Sequence, residues 1–350
     1  MTRAQWLRLH KYTGLAMAAL LAVQAMTGML LLYRGPVARW IDPAGMVSHG
    51  STPGISPGMA TARVAGAFPG FAVTRLYAPS GKGATFLAEL TGPHGEERYA
   101  SVDPAGGRIL RAGSAWAFPI EAALQIHYRL MTGKAGATVV LLNGLALLAM
   151  TVTGLAYWWP KRGPLSKQLS VRWSLASRLV LRQLHRTVGV VMSALLAFMA
   201  LTGLLLAAPD LFDAGLPKSL RPTASATTID RALALAHKAF PRSALRDFRL
   251  TDDRIIVNFA APERNPRAVH RAVLTIAGPN IVSVTRAENS GALWMTVLPL
   301  HAGDSFGAIG PVVLMLVALM LIALSITGPL MWWQAQKARR RASSPRKQTA

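Results

Sequence analysis

Four of the eight histidines in this 350-residue chain recur at matching positions in its two halves. His10 and His185 lie 175 residues apart, and His127 and His301 lie 174 apart. The chain has no cysteine, so imidazole is the strong transition-metal ligand that it offers. The missing thiols also exclude disulfides, iron–sulfur clusters and cysteine-attached haem. The spacing therefore points to chemistry that uses paired imidazoles.

The residues around these histidines recur in the same register. Leu9-His10-Lys11-Tyr12-Thr13-Gly14 matches Leu184-His185-Arg186-Thr187-Val188-Gly189, Thr27-Gly28 matches Thr202-Gly203, Thr153-Gly154 matches Thr327-Gly328, and Trp158-Trp159 matches Trp332-Trp333. The other four histidines have no such partner. The sequence therefore predicts one unit present twice, as a tandem parallel repeat whose axis lies near the membrane normal. We interpret the Thr-Gly pairs as helix-packing residues.

Each repeated histidine lies beside a long apolar stretch. Residues are 52% hydrophobic and only 15% charged, below the roughly 25% charged residues of soluble domains. Four stretches meet the length of about 20 residues that a membrane span needs: Tyr12–Tyr33, Ala135–Trp159, Val188–Ala208 and Phe306–Trp333. The predicted fold class is a membrane α-helical bundle of four transmembrane helices, with two periplasmic α+β domains.

Basic residues give the orientation. The chain has 38 Lys+Arg against 15 Asp+Glu, and 16 of those bases lie in three short segments without any acid: the N-terminal flank, the loop 160–186 and the tail 334–350. The positive-inside rule predicts that these segments are cytoplasmic and that the protein crosses the inner membrane several times. Much of the net charge of +23 is then an orientation signal that also attracts anionic lipid. No nucleic-acid partner is needed to explain it.

The predicted domain order alternates spans with external segments. Residues 1–33 form span 1, 34–118 a first periplasmic domain, 119–159 an edge helix and span 2, and 160–186 the cytoplasmic loop. Residues 187–208 form span 3, 209–299 a second periplasmic domain, 300–333 span 4 and 334–350 the cytoplasmic tail. Each external segment has one helical stretch, Met59–Phe68 or Ile229–Phe240, followed by four short β-like runs. This pattern predicts a helix on a small antiparallel sheet.

Two levels of histidine predict two haem sites. His10 and Thr27 are separated by 17 residues, about 26 Å of helix, which is too far for one haem to bridge. We expect one bis-histidine haem b between His10 and His185 on the cytoplasmic side, and another between His127 and His301 on the external side. A glycine one turn after His10 and after His185 leaves a flat helix surface, which suits either a porphyrin or a neighbouring helix.

Other interpretations of these residues remain open. A single histidine at a membrane edge is commonly an anchor. Zinc or copper sites would want further ligands, and only Asp304, three residues after His301, offers one. A proton relay would want carboxylates within the spans, and there are none. Glu121, Gln125 and Arg129 flank His127 at helical spacing, so they are candidates for orienting it or for contacting a haem propionate.

The chain resembles the PepSY-associated transmembrane helix family. The resemblance rests on the Leu-His-Lys/Arg…Gly and Thr-Gly-Met/Leu motifs of spans 1 and 3, the Thr-Gly…Trp-Trp exits and the turn Asp103-Pro104-Ala105-Gly106-Gly107-Arg108. The external segments resemble PepSY domains, the second less clearly because Ile276-Ala277-Gly278-Pro279 replaces the Asp-Pro turn. Some members are similar to inner-membrane ferric-siderophore reductases. That implies a haem oxidoreductase with a periplasmic acceptor site for a ferric siderophore or other ferric chelate near His127 and His301.

Two rivals to a redox role follow from the same residues. The first is a non-redox module in which the helices anchor external domains that bind or regulate a partner. The second is a siderophore permease, which is disfavoured because the spans show no polar residues at mid-depth. No glycine-rich dinucleotide motif is present, so an oxidoreductase needs quinol or a cytoplasmic reductase as its electron donor. Basic residues that could steer an anionic chelate are Arg75, Lys82, Arg98, Arg108 and Arg111.

Overall fold

The computed structural model describes residues 1–50, 54–159, 163–212 and 224–343. Its helices are α1 Arg3–Leu32, α2 Arg34–Ile41, α3 Pro43–Met46, α4 Pro57–Ala67, α5 Pro119–Arg129, α6 Gly133–Trp158, α7 Leu165–Leu169, α8 Ser177–Phe212, α9 Ala226–Ala239, α10 Leu293–His301 and α11 Ile309–Ser343. Its strands are β1 Ala72–Tyr77, β2 Phe86–Thr91, β3 Glu97–Val102, β4 Ile109–Gly113, β5 Leu245–Leu250, β6 Arg254–Ala260, β7 Val269–Thr275 and β8 Ile281–Thr285.

The chain divides into a helical unit and a sheet unit. The helical unit contains α1, α6, α8 and α11, and the sheet unit comprises Tyr33–Gln125 and Phe212–Ala308. Both segments that the sequence predicts to be external therefore contribute to the same sheet unit, and both halves of the chain contribute spans to the same helical unit.

Four helices are long and apolar enough to cross a membrane, namely α1, α6, α8 and α11. In the helical unit α1 packs along both α6 and α11. Leu21, Leu147 and Ala200 form a buried cluster among these spans, with Met17 and Leu321 packed against it. The protein is thus a membrane helical bundle with an extramembrane sheet, as the apolar stretches predict.

Two spans begin well before their apolar stretches. α1 starts at Arg3 and α8 starts at Ser177, so part of the predicted cytoplasmic loop 160–186 is helical. The reason is that hydropathy marks the apolar core of a span, whereas backbone hydrogen bonds continue into a polar turn wherever the residues allow a helix. Consequently His10 and His185 lie inside regular helices, whose geometry fixes their directions.

The sheet unit holds one antiparallel sheet of eight strands in the order β4-β3-β2-β1-β5-β6-β7-β8. Each external segment supplies a four-stranded meander, and the two meanders join where β1 pairs with β5. The sequence predicts a separate sheet for each segment; in the structure the halves instead share a seam. Opposite residues along that seam are Arg75 and Arg249, Leu76 and Phe248, and Tyr77 and Asp247.

One face of the sheet carries the apolar core. The helices α4 and α9 pack on this face and on each other, and they cover Leu76, Phe248 and Ile255, which are fully buried. The N-terminus of α4 is tied to α9, because the hydroxyl of Ser56 and the backbone N–H of Gly58 both donate to the carboxylate of Asp230. The opposite sheet face carries the polar alternate residues of the same strands.

Candidate functional site

The structure brings His10 and His185 together within the helical unit. The ring centroids of His10 and His185 are 6.5 Å apart, with 82° between the ring planes. An imidazole nitrogen binds a first-row transition metal at about 2 Å, so two imidazoles on opposite sides of one iron place their ring centroids roughly 6 Å apart. The observed separation fits a shared metal centre.

The hydrogen bonds of His10 determine which of its nitrogens can bind a metal. Nδ1 lies 3.1 Å from the carbonyl oxygen of Met150 and 3.3 Å from Oγ1 of Thr153, both on α6. A carbonyl oxygen only accepts hydrogen bonds, so Nδ1 carries the hydrogen. The lone pair of the neutral ring then lies on Nε2, which is the arrangement seen in histidines that bind metals.

His185 is held in the same tautomer by a different span. Its Nδ1 lies 2.7 Å from Oγ1 of Thr327 on α11. The Thr327 hydroxyl lies 2.8 Å from the carbonyl of Ala323 and can donate its own hydrogen there, so Oγ1 is placed to accept from the ring. In the described part of the chain, the hydrogen bonds of both His10 and His185 are made through Nδ1.

His127, near the other end of the spans, has the same geometry. Its Nδ1 lies 3.1 Å from the carbonyl oxygen of Gln24 and 3.1 Å from Oγ1 of Thr27, both on α1. The Thr27 hydroxyl donates to the carbonyl of Val23 at 2.7 Å. Nδ1 of His127 therefore also carries the hydrogen, and the same tautomer occurs at three of the four repeated histidines.

A glycine after each of these threonines leaves room for the ring. A Cβ atom on Gly28 would stand 3.0 Å from Cε1 of His127, and one on Gly154 would stand 3.1 Å from Cε1 of His10. On Gly328 the corresponding distance to His185 would be 3.6 Å. The threonine of each of these three Thr-Gly pairs thus hydrogen-bonds to a histidine ring, and the glycine leaves space for that ring. The interpretation of these pairs as helix-packing residues did not include this role. Their repetition in the same register as the histidines was the available signal.

The glycine that follows His10 by one turn has a different neighbour. A Cβ atom on Gly14 would stand 3.2 Å from the terminal methyl group of Met150 on α6. The sequence left two roles open for this glycine, contact with a porphyrin or contact with a neighbouring helix. The structure shows contact with a neighbouring helix. The start of α1 is also fastened to the end of α6, because Arg3 donates to the carbonyl of Tyr157 at 3.0 Å.

A tight corner positions His127 before α6. After α5 ends at Arg129, Leu130 and Met131 adopt φ values of +46° and +62°. Two consecutive non-glycine residues in the left-handed region are strained and occur where the surrounding structure demands them. The corner turns the chain directly into α6, which starts at Gly133.

His301 is the last residue of α10 and belongs to the sheet unit, whereas His127 belongs to the helical unit. Their pairing stays a prediction. Asp304, the candidate extra metal ligand beside His301, forms an ion pair with Arg267. Within the described residues, no group of three or more histidine, aspartate or glutamate side chains is placed to hold a metal ion.

The residues expected to orient His127 have other partners. The carboxylate of Glu121 pairs with Arg34 at 2.6 Å, and Gln125 donates to Glu97 at 2.8 Å. The interpretation of Glu121 and Gln125 as residues that orient His127 is therefore wrong. Glu121 and Gln125 recur at helical spacing because this side of α5 faces the polar side of the sheet. There the side-chain amide of Gln125 also lies 3.1 Å from the hydroxyl of Tyr99.

The interior of the spans is not wholly apolar. Asn143 lies in the middle of α6, is 3% exposed and has an Oδ1 atom without a hydrogen-bond partner in the described structure. It is 11 residues from Gly154, so about 16 Å of helix separates it from the level of His10. The equivalent residue in the second half is the buried Val317. The expectation that the spans have no polar residue at mid-depth is thus wrong.

The comparison with protein families decides the relationship of the chain. A family model described as the PepSY-associated TM region matches residues 7–335. The chain belongs to this family. The match includes all or most of each span of this PepSY-associated TM protein and all four repeated histidines. No curated protein matches the chain.

Proposed function

We propose that this PepSY-associated TM protein is an oxidoreductase of the bacterial inner membrane that binds two b-type haems and reduces a ferric siderophore, or another ferric chelate, in the periplasm. When bound, haem supplies one-electron transfer across the membrane. In this proposal His10 and His185 are the axial ligands of a cytoplasmic-side haem. His127 and His301 are those of a periplasmic-side haem.

The observation that carries the proposal is the shared tautomer of the histidines. Three rings at two levels donate Nδ1–H to a threonine or a backbone carbonyl of a neighbouring span. Metal-binding histidines are oriented in this way by the hydrogen bond of their other nitrogen. An anchor at the membrane surface has no need of a fixed tautomer, so this arrangement favours metal binding over anchoring.

The surrounding residues suit a site that excludes water. Leu21, Leu147 and Ala200 are buried between the spans, so the interior between the two proposed levels contains an apolar cluster. The threonine hydroxyls hold the Nδ1 proton in place, because each of them already donates its own hydrogen to its helix. Ligand orientation therefore does not depend on solvent.

The proposal includes partners on both sides of the membrane. An electron donor, either membrane quinol or a cytoplasmic reductase, is required because the sequence has no dinucleotide-binding motif. With both termini in the cytoplasm, as the basic flanks predict, the sheet unit is periplasmic and meets the acceptor. Anionic lipid is the expected partner of the basic segments.

Spectroscopy of the purified protein tests the haem proposal. We expect a Soret band and a reduced α-band of b type, with two haems per chain. His10→Ala and His127→Ala should each remove about one haem, whereas His94→Ala, at an exposed turn before β3, should remove none. A colourless protein from haem-replete cells would instead support a membrane-anchored binding or regulatory module.

A separate assay tests the acceptor. Protein reduced with dithionite is mixed with ferric siderophores and other ferric chelates, and its reoxidation is followed at the α-band. We expect rapid reoxidation together with release of iron(II) to a ferrous indicator. If the protein binds haem but no ferric chelate reoxidises it, the proposed ferric reductase activity is refuted and only the proposed role as an electron carrier stands.

A further inference from the structure

The seam of the sheet places two arginines directly opposite each other. Arg75 on β1 and Arg249 on β5 are register partners across the β1–β5 pair. Like charges facing each other across strands destabilise a sheet unless other groups compensate. Arg75 is compensated, because its Nε donates to the carboxylate of Asp247 at 2.9 Å. The same carboxylate accepts from the side-chain amide of Asn258 at 3.0 Å.

Arg249 has no ion pair of this kind in the described residues, and the charges of Asp247 and Glu89 act on it only from a distance. Its Nε atom is buried and has no hydrogen-bond partner in the described residues. Burial, and then the neighbouring charge of Arg75, lower the pKa of Arg249. The acids nearest to the seam are engaged elsewhere, since Asp247 binds Arg75 and Glu89 accepts from the hydroxyl of Tyr77 at 3.0 Å. A half-buried guanidinium whose Nε atom has no partner gains free energy from an added anion.

A second guanidinium lies on the same sheet face. Arg271 on β7 is the register partner of Asn258 on β6. Arg249 on β5 is the register partner of Ile256, which is two residues from Asn258 on the same strand β6. The Nε of Arg271 donates to the amide oxygen of Asn258 at 3.3 Å, so its hydrogen bond goes to a neutral group. The polar face of the second meander thus presents two guanidinium groups, each without a carboxylate partner in the described chain.

We propose that Arg249, together with Arg271, binds a carboxylate group of an anionic ferric chelate, which makes this sheet face the substrate-binding surface. The inference rests on the proposed function and names the class of its substrate. Guanidinium binds carboxylate through two parallel hydrogen bonds, which gives orientation as well as charge neutralisation. Among the bases that the sequence suggested for steering, Arg75 and Arg111 are already engaged in ion pairs, with Asp247 and Asp42 respectively.

Binding of gallium(III) citrate, a redox-inert stand-in for a ferric carboxylate chelate, tests the site without any need for electron transfer. Isothermal titration calorimetry on the full-length protein should show binding that Arg249→Gln weakens at least tenfold, and that Arg271→Gln weakens less. The matched control is Arg254→Gln, because Arg254 is an exposed partner of Asp253 and should leave the affinity unchanged. Arg249→Lys, which keeps the charge but loses the planar fork, should give an intermediate affinity.

The outcomes separate this inference from the proposed function. No binding to the wild type, or equal binding to Arg249→Gln, would overturn the inference even if the protein reduces ferric chelates. Binding that Arg249→Gln abolishes would uphold it even in a protein without haem. Loss of haem from Arg249→Gln with citrate binding retained would assign the arginine to a haem propionate and also overturn the inference. In a ferric citrate reductase assay, Arg249→Gln should raise KM and leave kcat unchanged.

Discussion

Replacing Thr327 with valine tests the support of the histidines most directly. Oγ1 of Thr327 is the hydrogen-bond acceptor for Nδ1 of His185, at 2.7 Å. Valine keeps the branched shape and removes the acceptor. Loss of such an outer hydrogen bond commonly weakens metal binding 10- to 100-fold, which corresponds to about 1.4–2.8 kcal/mol. We expect a loss of this size in haem affinity for Thr327→Val.

Thr153→Val should lower the haem affinity less than Thr327→Val does. His10 keeps the carbonyl of Met150 at 3.1 Å when Thr153 loses its hydroxyl, whereas His185 keeps no equivalent acceptor in the described structure. Thr138→Val is the matched control, because this hydroxyl lies on the exposed side of α6 and donates only to the carbonyl of Lys134. The expected order of haem loss is therefore Thr327→Val, then Thr153→Val, with none for Thr138→Val.

Haem content per chain and the midpoint potential are the two measurements. A hydrogen bond accepted from Nδ1–H makes the ring a stronger donor to iron(III), so its loss should raise the potential. The rise is about 59 mV for each tenfold loss of ferric relative to ferrous affinity. The reasoning would be refuted if Thr327→Val had the same haem content and midpoint potential as the control Thr138→Val. It would also be refuted if Thr153→Val lost more haem than Thr327→Val.

Three further predictions follow from other contacts. Gly154→Ala should release more haem than Gly328→Ala, because its Cβ would stand 3.1 Å from the histidine ring rather than 3.6 Å; equal release would contradict this. Burial raises the pKa of Glu89 in the folded protein above its unfolded value of about 4.3. The protonated carboxyl therefore contributes fully to the free energy of unfolding below the unfolded pKa, and this contribution is lost as the pH rises through the folded pKa. Glu89→Gln should therefore raise Tm at about pH 8 and not at about pH 4, and the same shift at both values would refute the assignment. Asn143→Leu removes a buried oxygen without a partner among the described residues, a defect of about 1–3 kcal/mol, so Tm should rise; a fall would show that the amide has a ligand.

Much of the fold could be predicted from local patterns. The strands Ala72–Tyr77 and Leu245–Leu250 have the bounds of the short β-like runs that turn-forming residues separate in the sequence. The apolar stretches marked all four spans, because a bilayer demands long hydrophobic runs. The pairing of β1 with β5 could not be predicted, since backbone hydrogen bonds leave no trace in residue types and both strands suit several neighbours.

The candidate site was predictable only in part. The repeat singled out His10 and His185 as a pair, and the structure places their rings 6.5 Å apart. The threonines that hold them were visible in the same repeat, but a Thr-Gly pair in a span also suits helix packing. Only the three-dimensional structure shows that the hydroxyl of Thr327 is hydrogen-bonded to an imidazole. The isolated Arg249 was equally hidden, because its lack of a partner depends on the seam.

The seam also affects how the protein is made. Tyr77 ends β1 and Leu245 begins β5, so 168 residues separate the two strands that must pair. At a synthesis rate of about 5–20 residues per second, β5 emerges roughly 10–30 s after β1. During that interval the first meander has an open edge of unpaired N–H and C=O groups, which can pair with any other extended chain. Two further spans must also be inserted before the edge is closed, so the first external segment needs protection for as long as the second is being synthesised.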